Sequence, residues 1–162
     1  MPNSSLAIAD FFIRKASDKG VELRPMKLLK LVYLAHGWNL GFTGVALISD
    51  EVQAWQWGPV IPSLYHEIKQ FRDRPIPADV ISASLIQPDA VSPLLGKIWD
   101  GYSRFSGAQL STITHEEGSP WFTVWHLHGG KNRLGAVIPN TLIEQYYKQR
   151  IANARPSGTS AS

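Results

Sequence analysis

The stretch KLLKLVYLAHGWNLGFTGVALISDEVQAWQWGPVIPSLYHEIKQF, residues 27–71, carries the strongest fold signal in the chain. Apolar residues recur at three- and four-residue steps from Leu28 to Phe42, and further apolar residues fill the gaps between them. This pattern is typical of a central, buried helix. Alternating side chains at 52–57 then predict a strand. Pro62 favours the start of another helix, because the N–H that proline lacks has no partner in a first turn.

Helical periodicity also appears on both sides of this stretch. Serine, asparagine and proline at the starts of the periodic segments match the preferences of first helical turns. The expected helix starts are Ser4 or Ser5, Pro25, Pro62, Ser92, Ala108, Ser119 and Asn140.

The sheet is expected to be one small hairpin, with Val45–Ile48 as the antiparallel partner of the strand at 52–57. Gly58-Pro59 is the expected end of that strand. A lone hairpin is marginal in water, so it has to pack on the helices. The predicted fold class is mainly α with a small antiparallel β-hairpin (α+β), a single compact helical domain of about six or seven helices. The domain is expected to cover residues 1–152, with a short extended piece at 80–81 and a disordered polar tail at 153–162.

Composition narrows the class of protein. The 162 residues suit one domain, and 44% hydrophobic with 18% charged residues is ordinary globular composition. The chain has no cysteine, which excludes disulfides, thiolate metal ligands and thiol nucleophiles. No apolar run approaches the ~20 residues that span a bilayer, and the N-terminal residues lack the basic start of a signal peptide. We therefore expect a cytoplasmic protein without membrane contact.

The sequence contains no recognisable catalytic set. Neither a G-x-S-x-G elbow nor a phosphate-binding G-x-x-x-x-G-K-[ST] loop occurs. A cluster of His115, Glu116, His126 and His128 is able to hold a divalent metal, which leaves a metal-dependent hydrolase as one alternative. The zinc-binding H-E-x-x-H spacing is absent, however, and Gly118 stops the helix three residues after His115. We expect no enzyme, no catalytic residues, no metal and no cofactor.

The charge pattern gives weak support to nucleic-acid binding. The formal net charge of +3 comes from 16 Lys and Arg residues against 13 Asp and Glu. The basic residues are scattered and do not form the stripe or cluster of a nucleic-acid footprint. We expect no nucleic-acid partner, and a transcription regulator or nucleic-acid-binding module stays open as an alternative.

Two groups of aromatic residues are candidates for an exposed binding surface. Trp55 and Trp57 share one face of the predicted strand, and Tyr65 follows after the turn. Trp121 and Trp125 lie four residues apart on a predicted helix. Each group either seals the core or stays partly exposed as an anchor for a protein partner, since tryptophan and tyrosine are enriched at binding hot spots. His36, on the buried second helix, is instead expected to be a core imidazole with a backbone or side-chain partner.

Several separate pieces of the chain together resemble the Panacea domain family, also called SocA-like or GepA-like phage-associated antitoxins. Family members carry a helix reading like KLLYYAQGW, then EAWxxGPVxPxxY, a segment reading like LSxxTHxxxPW, and a terminal Tyr-Tyr or Tyr-Phe pair. The counterparts cover about residues 5–150 in the same order: Lys27–Trp38, Val52–Trp55, Gly58–Tyr65, Leu110-Ser111, Thr114-His115, Ser119-Pro120-Trp121 and Tyr146-Tyr147.

The resemblance implies a mainly helical fold with a small sheet, and the function of an antitoxin. Such a protein neutralises a cognate protein toxin, encoded by the adjacent gene, by direct contact, or delivers the toxin to a cytosolic protease as an adaptor. From residue type alone, the aromatic candidates would serve as anchors, and the arginines as rim charges that steer an acidic partner. The candidates for toxin contact are Trp55, Trp57, Tyr65, His66, Arg72 and Arg74.

Overall fold

The computed structural model describes residues 2–80 and 91–154. The described residues form seven α-helices and three short strands, which confirms the predicted fold class. In chain order they are α1 (Ser5–Asp18), α2 (Pro25–Thr43), β1 (Gln53–Trp55), β2 (Gly58–Val60), α3 (Pro62–Ile68), α4 (Ser92–Tyr102), α5 (Gly107–Thr114), α6 (Pro120–Phe122), β3 (Ala136–Val137) and α7 (Asn140–Ala154). A 3-10 turn, Lys69–Phe71, continues α3, and a π-helical turn, Thr123–Leu127, continues α6.

Helix α2 lies at the centre of the fold because it is apolar around most of its circumference. It packs against α1, α4, α5, α7 and β2. It begins at Pro25 and is closed by Gly44, whose φ of 74° gives a left-handed C-cap. Gly37 and Gly41 face Tyr147 of α7, and the missing side chains let the two helices approach closely. None of the described helices is both long and apolar enough to cross a bilayer.

The loop before the sheet is tied to the N-terminus. The Asn3 N–H donates to the Leu47 carbonyl at 2.8 Å, and the Ser49 N–H donates to the Asn3 carbonyl at 2.9 Å. Asp50 accepts hydrogen bonds from the N–H and the hydroxyl of Ser5, at 2.8 and 2.7 Å. A carboxylate at this position also interacts favourably with the dipole of α1. The expectation that Val45–Ile48 is the antiparallel partner of β1 is therefore wrong, because this segment bonds to residue 3 instead.

The sheet has the strand order β2-β1-β3 and both pairs are antiparallel. Gln56 and Trp57 form a two-residue turn, so that Trp55 lies opposite Gly58. The expectation that Gly58-Pro59 ends the strand is also wrong, since these residues begin the second strand of the hairpin. Proline is tolerated in edge strands, and β2 is an edge of the described sheet. Gly58 has a φ of 114°, a backbone conformation that favours glycine.

Serine caps begin several helices as expected. Ser4 accepts from the Ala7 N–H at 3.2 Å to cap α1, and Ser119 accepts from the Phe122 N–H at 3.1 Å to cap α6. Ser106 forms a capping box with Gln109 and so starts α5 one residue before the expected position. Most helix starts of this fold were therefore readable from local sequence.

The core histidine has the kind of partners that the sequence predicted. His36 Nε2 lies 2.9 Å from Asn140 Oδ1, and His36 Nδ1 accepts from the Ile48 N–H at 3.4 Å. Burial lowers the pKa of His36, so the neutral ring donates from Nε2. Asn140 is thus the first residue of α7 with its side chain turned to His36.

Helix α7 includes the first two residues of the predicted tail, 153 and 154. Residues 155–162 of that tail lie outside the described residues, as does residue 81 of the expected extended piece.

Candidate functional site

Three side chains from the helices donate hydrogen bonds to the backbone of the β1–β2 hairpin, at the carbonyl groups of every second residue. One donor comes from each of α2, α5 and the start of α6, so the hairpin is held at both strands and at its turn. The hydrogen bonds are Lys30 Nζ to the Pro59 carbonyl (2.7 Å), Ser111 Oγ to the Trp57 carbonyl (2.5 Å) and Trp121 Nε1 to the Trp55 carbonyl (2.6 Å). These tethers give the hairpin a rigid support, although the hairpin itself is only a few residues long.

Lys30 is an unusual lysine because its relative exposure is only 1%. Burial lowers its pKa from 10.5 to about 7, since the charged form is poorly solvated under the hairpin. A Cβ at Gly58 would lie 3.1 Å from Lys30 Nζ, so glycine at this position leaves the amino group its space. Lys30 lies one turn after Lys27 within a mainly apolar helix, so the sequence alone does not mark which of the two lysines is buried.

The lowered pKa of Lys30 predicts a rise of stability with pH. Between pH 7 and 9 the unfolded chain holds a proton that the folded chain increasingly lacks, so the free energy of unfolding increases. The slope approaches about 1.4 kcal/mol per pH unit. Below pH 7 Lys30 is protonated in both states and contributes no pH dependence. Urea denaturation at pH 7, 8 and 9 is expected to show this rise in the parent and not in Lys30→Met; parallel rises in both proteins would contradict it.

A pocket opens beside the hairpin, between the start of α2 and helix α3. This α3 pocket has a volume of about 300 Å³. The rings of Trp55 and Tyr65 meet edge to face in its wall, with centroids 5.1 Å apart. Its lining is mainly apolar with three basic residues, of which Lys30 is the buried one: Pro25, Met26, Leu29, Lys30, Trp55, Trp57, Val60, Tyr65, Lys69 and Arg72.

A second pocket lies on the other side of the hairpin, against the loop that leads into β3. This β3 pocket has a volume of about 640 Å³. Trp125 lines it and stacks on the buried Trp121, with ring centroids 5.5 Å apart. Leu134 stands fully exposed at its edge. The lining residues are Gln53, Ala54, Trp55, Gln56, Trp57, Trp125, Lys131, Asn132, Arg133, Leu134 and Gly135.

Trp57 lines both pockets, as does Trp55. It lies in the turn of the hairpin, not on a strand face with Trp55 as the sequence suggested, and its side chain is 59% exposed. Its carbonyl group is held by Ser111. A large aromatic side chain is therefore presented to solvent from a backbone that is fixed in place. We call Trp57 and the two pockets together the hairpin face.

The structure brings together four of the six predicted contact residues. Trp55, Trp57, Tyr65 and Arg72 all line the α3 pocket. The other two lie outside it. His66 is exposed on α3 with its ring centroid 5.9 Å from that of Tyr65, and Arg74 donates to the carbonyls of Gln70 and Phe71, at 3.1 and 3.3 Å.

Sequence reasoning missed several residues of the hairpin face. Met26 and Lys69 line the α3 pocket from separate helical turns, and no local pattern marks them. Lys131 and Arg133 were visible as a basic pair, but only the pairing of β3 with β1 places them beside the hairpin. Trp121 is buried in the core, whereas Trp125 is half-buried and lines a pocket.

The hairpin face is cationic. Among the described residues that line the two pockets there are five lysines and arginines and no Asp or Glu. Apart from the buried Lys30, these cations are exposed, and none of them forms an ion pair with another described residue. They are Lys69, Arg72, Lys131 and Arg133.

The residues of the hydrolase alternative come together only in part. The rings of His115 and His126 both pack on the ring of Trp121, at centroid distances of 5.2 and 5.6 Å, and His126 also lies 4.6 Å from Phe122. Glu116 is directed to α7, where Tyr146 and Arg150 contact its carboxylate. In the part of the chain that the structure describes, no three His, Asp or Glu residues are placed to hold a metal ion. The geometry therefore gives the hydrolase alternative no support.

Fold and site together define a class of protein: a small, mainly helical module that presents a tethered aromatic hairpin between two cationic pockets. The family model described as "Antitoxin SocA-like, Panacea domain" matches residues 28–122, more than half of the chain, so the chain belongs to that family. The relative Antitoxin SocA of Caulobacter vibrioides (strain NA1000 / CB15N) is 26% identical over 163 aligned residues, which cover 94% of this chain and 87% of the relative. No solved structure matches the chain significantly.

The matched region contains the whole tethering system. Lys30, Ser111 and Trp121 all lie between residues 28 and 122, together with the hairpin and α3. The loop at 131–135 that completes the β3 pocket lies beyond the matched region. The resemblance inferred from sequence is thus confirmed. Two residues of the motifs that carry it, Ser111 and Trp121, hold the hairpin by hydrogen bonds.

Proposed function

We propose that this chain is a cytoplasmic antitoxin that neutralises a cognate toxin, encoded by the adjacent gene, by direct contact through the hairpin face. Membership of the antitoxin family and the name of the relative support this class of function. The absence of cysteine from all 162 residues fits a reducing compartment. The observation that carries the proposed contact surface is the exposed Trp57 on a tethered backbone between two pockets.

The hairpin face has the properties that a binding hot spot requires. A stable contact buries roughly 800 Å² on each partner, and a few aromatic or arginine side chains supply most of the energy. Trp57, Trp55 and Tyr65 provide such side chains, and Arg72 stands at the edge. Because three hydrogen bonds hold the hairpin backbone before binding, little conformational entropy is lost when the partner docks.

Two modes of neutralisation share this contact. In the first, the chain covers the active surface of the toxin. In the second, the chain carries the toxin to a cytosolic protease, which requires a further contact with the protease. The proposal commits to the direct contact with the toxin, and the dependence of protection on a protease separates the two modes.

Growth rescue tests the proposal. The neighbouring gene is expressed from an inducible promoter, with and without this chain, and viable cells are counted. We expect the neighbour alone to stop growth and co-expression to restore it. The assay is then repeated in protease-deficient hosts. Protection persists there if the chain covers the active surface of the toxin, and is lost if the chain delivers the toxin to a protease. A harmless neighbour, or a toxic neighbour that this chain leaves toxic, would refute the proposed function.

A further inference from the structure

We infer that the hairpin face recognises an acidic segment of a protein partner, with large apolar side chains of that segment seated on both sides of Trp57. This inference rests on the proposed function and names the chemistry of the surface that the chain contacts. It follows from three features of the hairpin face: its charge, the shape of its pockets and the backbone of Arg72.

The charge of the hairpin face selects an acidic partner. The described lining residues of the two pockets supply Lys69, Arg72, Lys131 and Arg133 at the surface and no carboxylate. Glu51 lies beside this lining and accepts from Gln53 at 2.6 Å, so the four cations outnumber it. A partner without carboxylates would bring like charges together or leave these cations without counter-charges, and both outcomes disfavour binding. Carboxylates at both edges of the contact instead complement the cations and speed the encounter.

The pockets select large apolar side chains. The α3 pocket, at about 300 Å³, is at the lower end of the roughly 300–1,000 Å³ of ligand pockets, so it takes about one large side chain. The β3 pocket, at about 640 Å³, is about twice as large, and Trp125 and Leu134 offer apolar contacts there. Because Trp57 borders both pockets, apolar side chains of the partner on either side would enclose its ring. Such paired burial is typical of hot spots.

Arg72 carries backbone strain at the edge of the α3 pocket. Its φ is 55°, and it is the only non-glycine residue in the described part of the chain with a positive φ. Arginine rarely adopts this conformation, which costs of order 1–3 kcal/mol and is found preferentially at functional sites. The strained residue lines the pocket that also contains Trp55 and Tyr65. A glycine would adopt this backbone conformation without strain, whereas arginine adds a positive charge to the lining of the pocket.

Single-stranded nucleic acid is the competing occupant, because it also binds aromatic side chains among cations. The walls of the α3 pocket favour a protein. Pro25, Met26, Leu29 and Val60 make it an apolar recess, which suits an aliphatic or aromatic side chain better than a base with its polar edges. The exposed cations are also divided between two pockets, two in each, whereas a nucleic-acid backbone requires one continuous charged groove.

Selection from a random dodecapeptide library displayed on phage tests the inference with a defined probe. The folded full-length chain is the only target, so the later comparison with Trp57→Ala is independent of the selection. We expect enriched peptides to combine an excess of Asp and Glu with at least two large apolar residues. Synthetic versions of these peptides are expected to bind Trp57→Ala at least tenfold more weakly than the parent and Arg72→Glu about tenfold more weakly. Lys97→Glu, an exposed cation in a different groove, is the matched control and should bind like the parent.

Arg72→Gly separates a binding role of Arg72 from a structural one. The variant is expected to resist urea better than the parent, because the strain is relieved, and yet to bind the selected peptides more weakly. Enrichment of neutral or basic peptides, no enrichment at all, or equal binding to Trp57→Ala would overturn the inference. Tight binding of a dodecathymidine with a steep salt dependence, lost in Trp57→Ala, would assign the face to nucleic acid instead. None of these results changes the growth assay, so the proposed function can stand or fall separately.

Discussion

Gly37→Ala is expected to lower the free energy of unfolding by about 2–3 kcal/mol, because it overpacks the contact between α2 and α7. An added Cβ would lie 2.4 Å from a ring carbon of Tyr147. That ring is only 4% exposed, and the rings of Tyr33, Trp38 and Tyr146 surround it at centroid distances of 6.5, 4.9 and 5.0 Å. The ring has no room to turn aside. The clash therefore outweighs the gain of about 1 kcal/mol that alanine has over glycine in a helix.

Urea denaturation of purified variants measures this effect, with Gly101→Ala as the matched control. Gly101 also lies in a helix, α4, and no described atom lies within 4 Å of an added Cβ. Gly101→Ala is expected to be neutral or slightly stabilising. In a Tyr147→Leu background the cost of Gly37→Ala should fall by at least about 1 kcal/mol, since the clashing ring is gone. Equal stability of Gly37→Ala and Gly101→Ala would show that the two helices do not depend on this close approach.

Trp57→Ala is expected to weaken the affinity for the toxin by about 30-fold or more, which corresponds to a loss of about 2 kcal/mol of binding free energy. The side chain is 59% exposed and borders both pockets, so its removal deletes contact area without opening the core. The three hydrogen bonds that hold the hairpin backbone do not involve the indole ring of Trp57. The free energy of unfolding should therefore change by less than about 0.5 kcal/mol.

Calorimetric titration with the purified product of the neighbouring gene measures the affinity. Phe42→Ala is the matched control, because Phe42 is an aromatic residue of similar exposure, 61%, in a groove with Trp38 and Tyr102. We expect Phe42→Ala to bind like the parent. A folded Trp57→Ala that binds the toxin as tightly as the parent would remove the hairpin face from the contact.

The sequence was sufficient for features that depend on local pattern. The apolar periodicity of α2, the proline at its first position and the serine caps at Ser4 and Ser119 each act within one or two helical turns. The grouping of Trp55 with Tyr65 was also predicted, since only a hairpin strand and a turn separate them. Local physical rules therefore predicted the helices and the contact between these two aromatic residues.

The pairing of the strands could not be predicted from local pattern. Gly58-Pro59 is typical of a strand end, because proline lacks the N–H of a ladder. Here that segment forms an edge strand, and Lys30, 29 positions away, donates to the Pro59 carbonyl. The Pro59 carbonyl of this edge strand therefore receives its donor from a distant side chain, which no local pattern shows. The segment at Val45–Ile48 had a better strand composition, but its hydrogen bonds go elsewhere. The Leu47 carbonyl accepts from Asn3, the Ile48 N–H donates to His36, and Val45 bonds to residues at the end of α2.

The cationic character of the hairpin face was likewise invisible in the sequence. Arg72 and Arg133 are 61 positions apart, and the pockets that they line meet only at the hairpin. Scattered basic residues looked like an ordinary solvated surface. The fold brings four exposed basic residues to the hairpin face, and the described lining of its two pockets contains no Asp or Glu.

Hydrogen–deuterium exchange of this chain, with and without the purified product of the neighbouring gene, tests direct contact through the hairpin face most directly. The account predicts slower exchange on addition of the toxin in three segments: the hairpin turn at 55–58, the end of α3 through residue 72, and the loop at 131–135. These segments line the two pockets. Unchanged exchange throughout the chain, or protection confined to segments outside the hairpin face, would contradict the account.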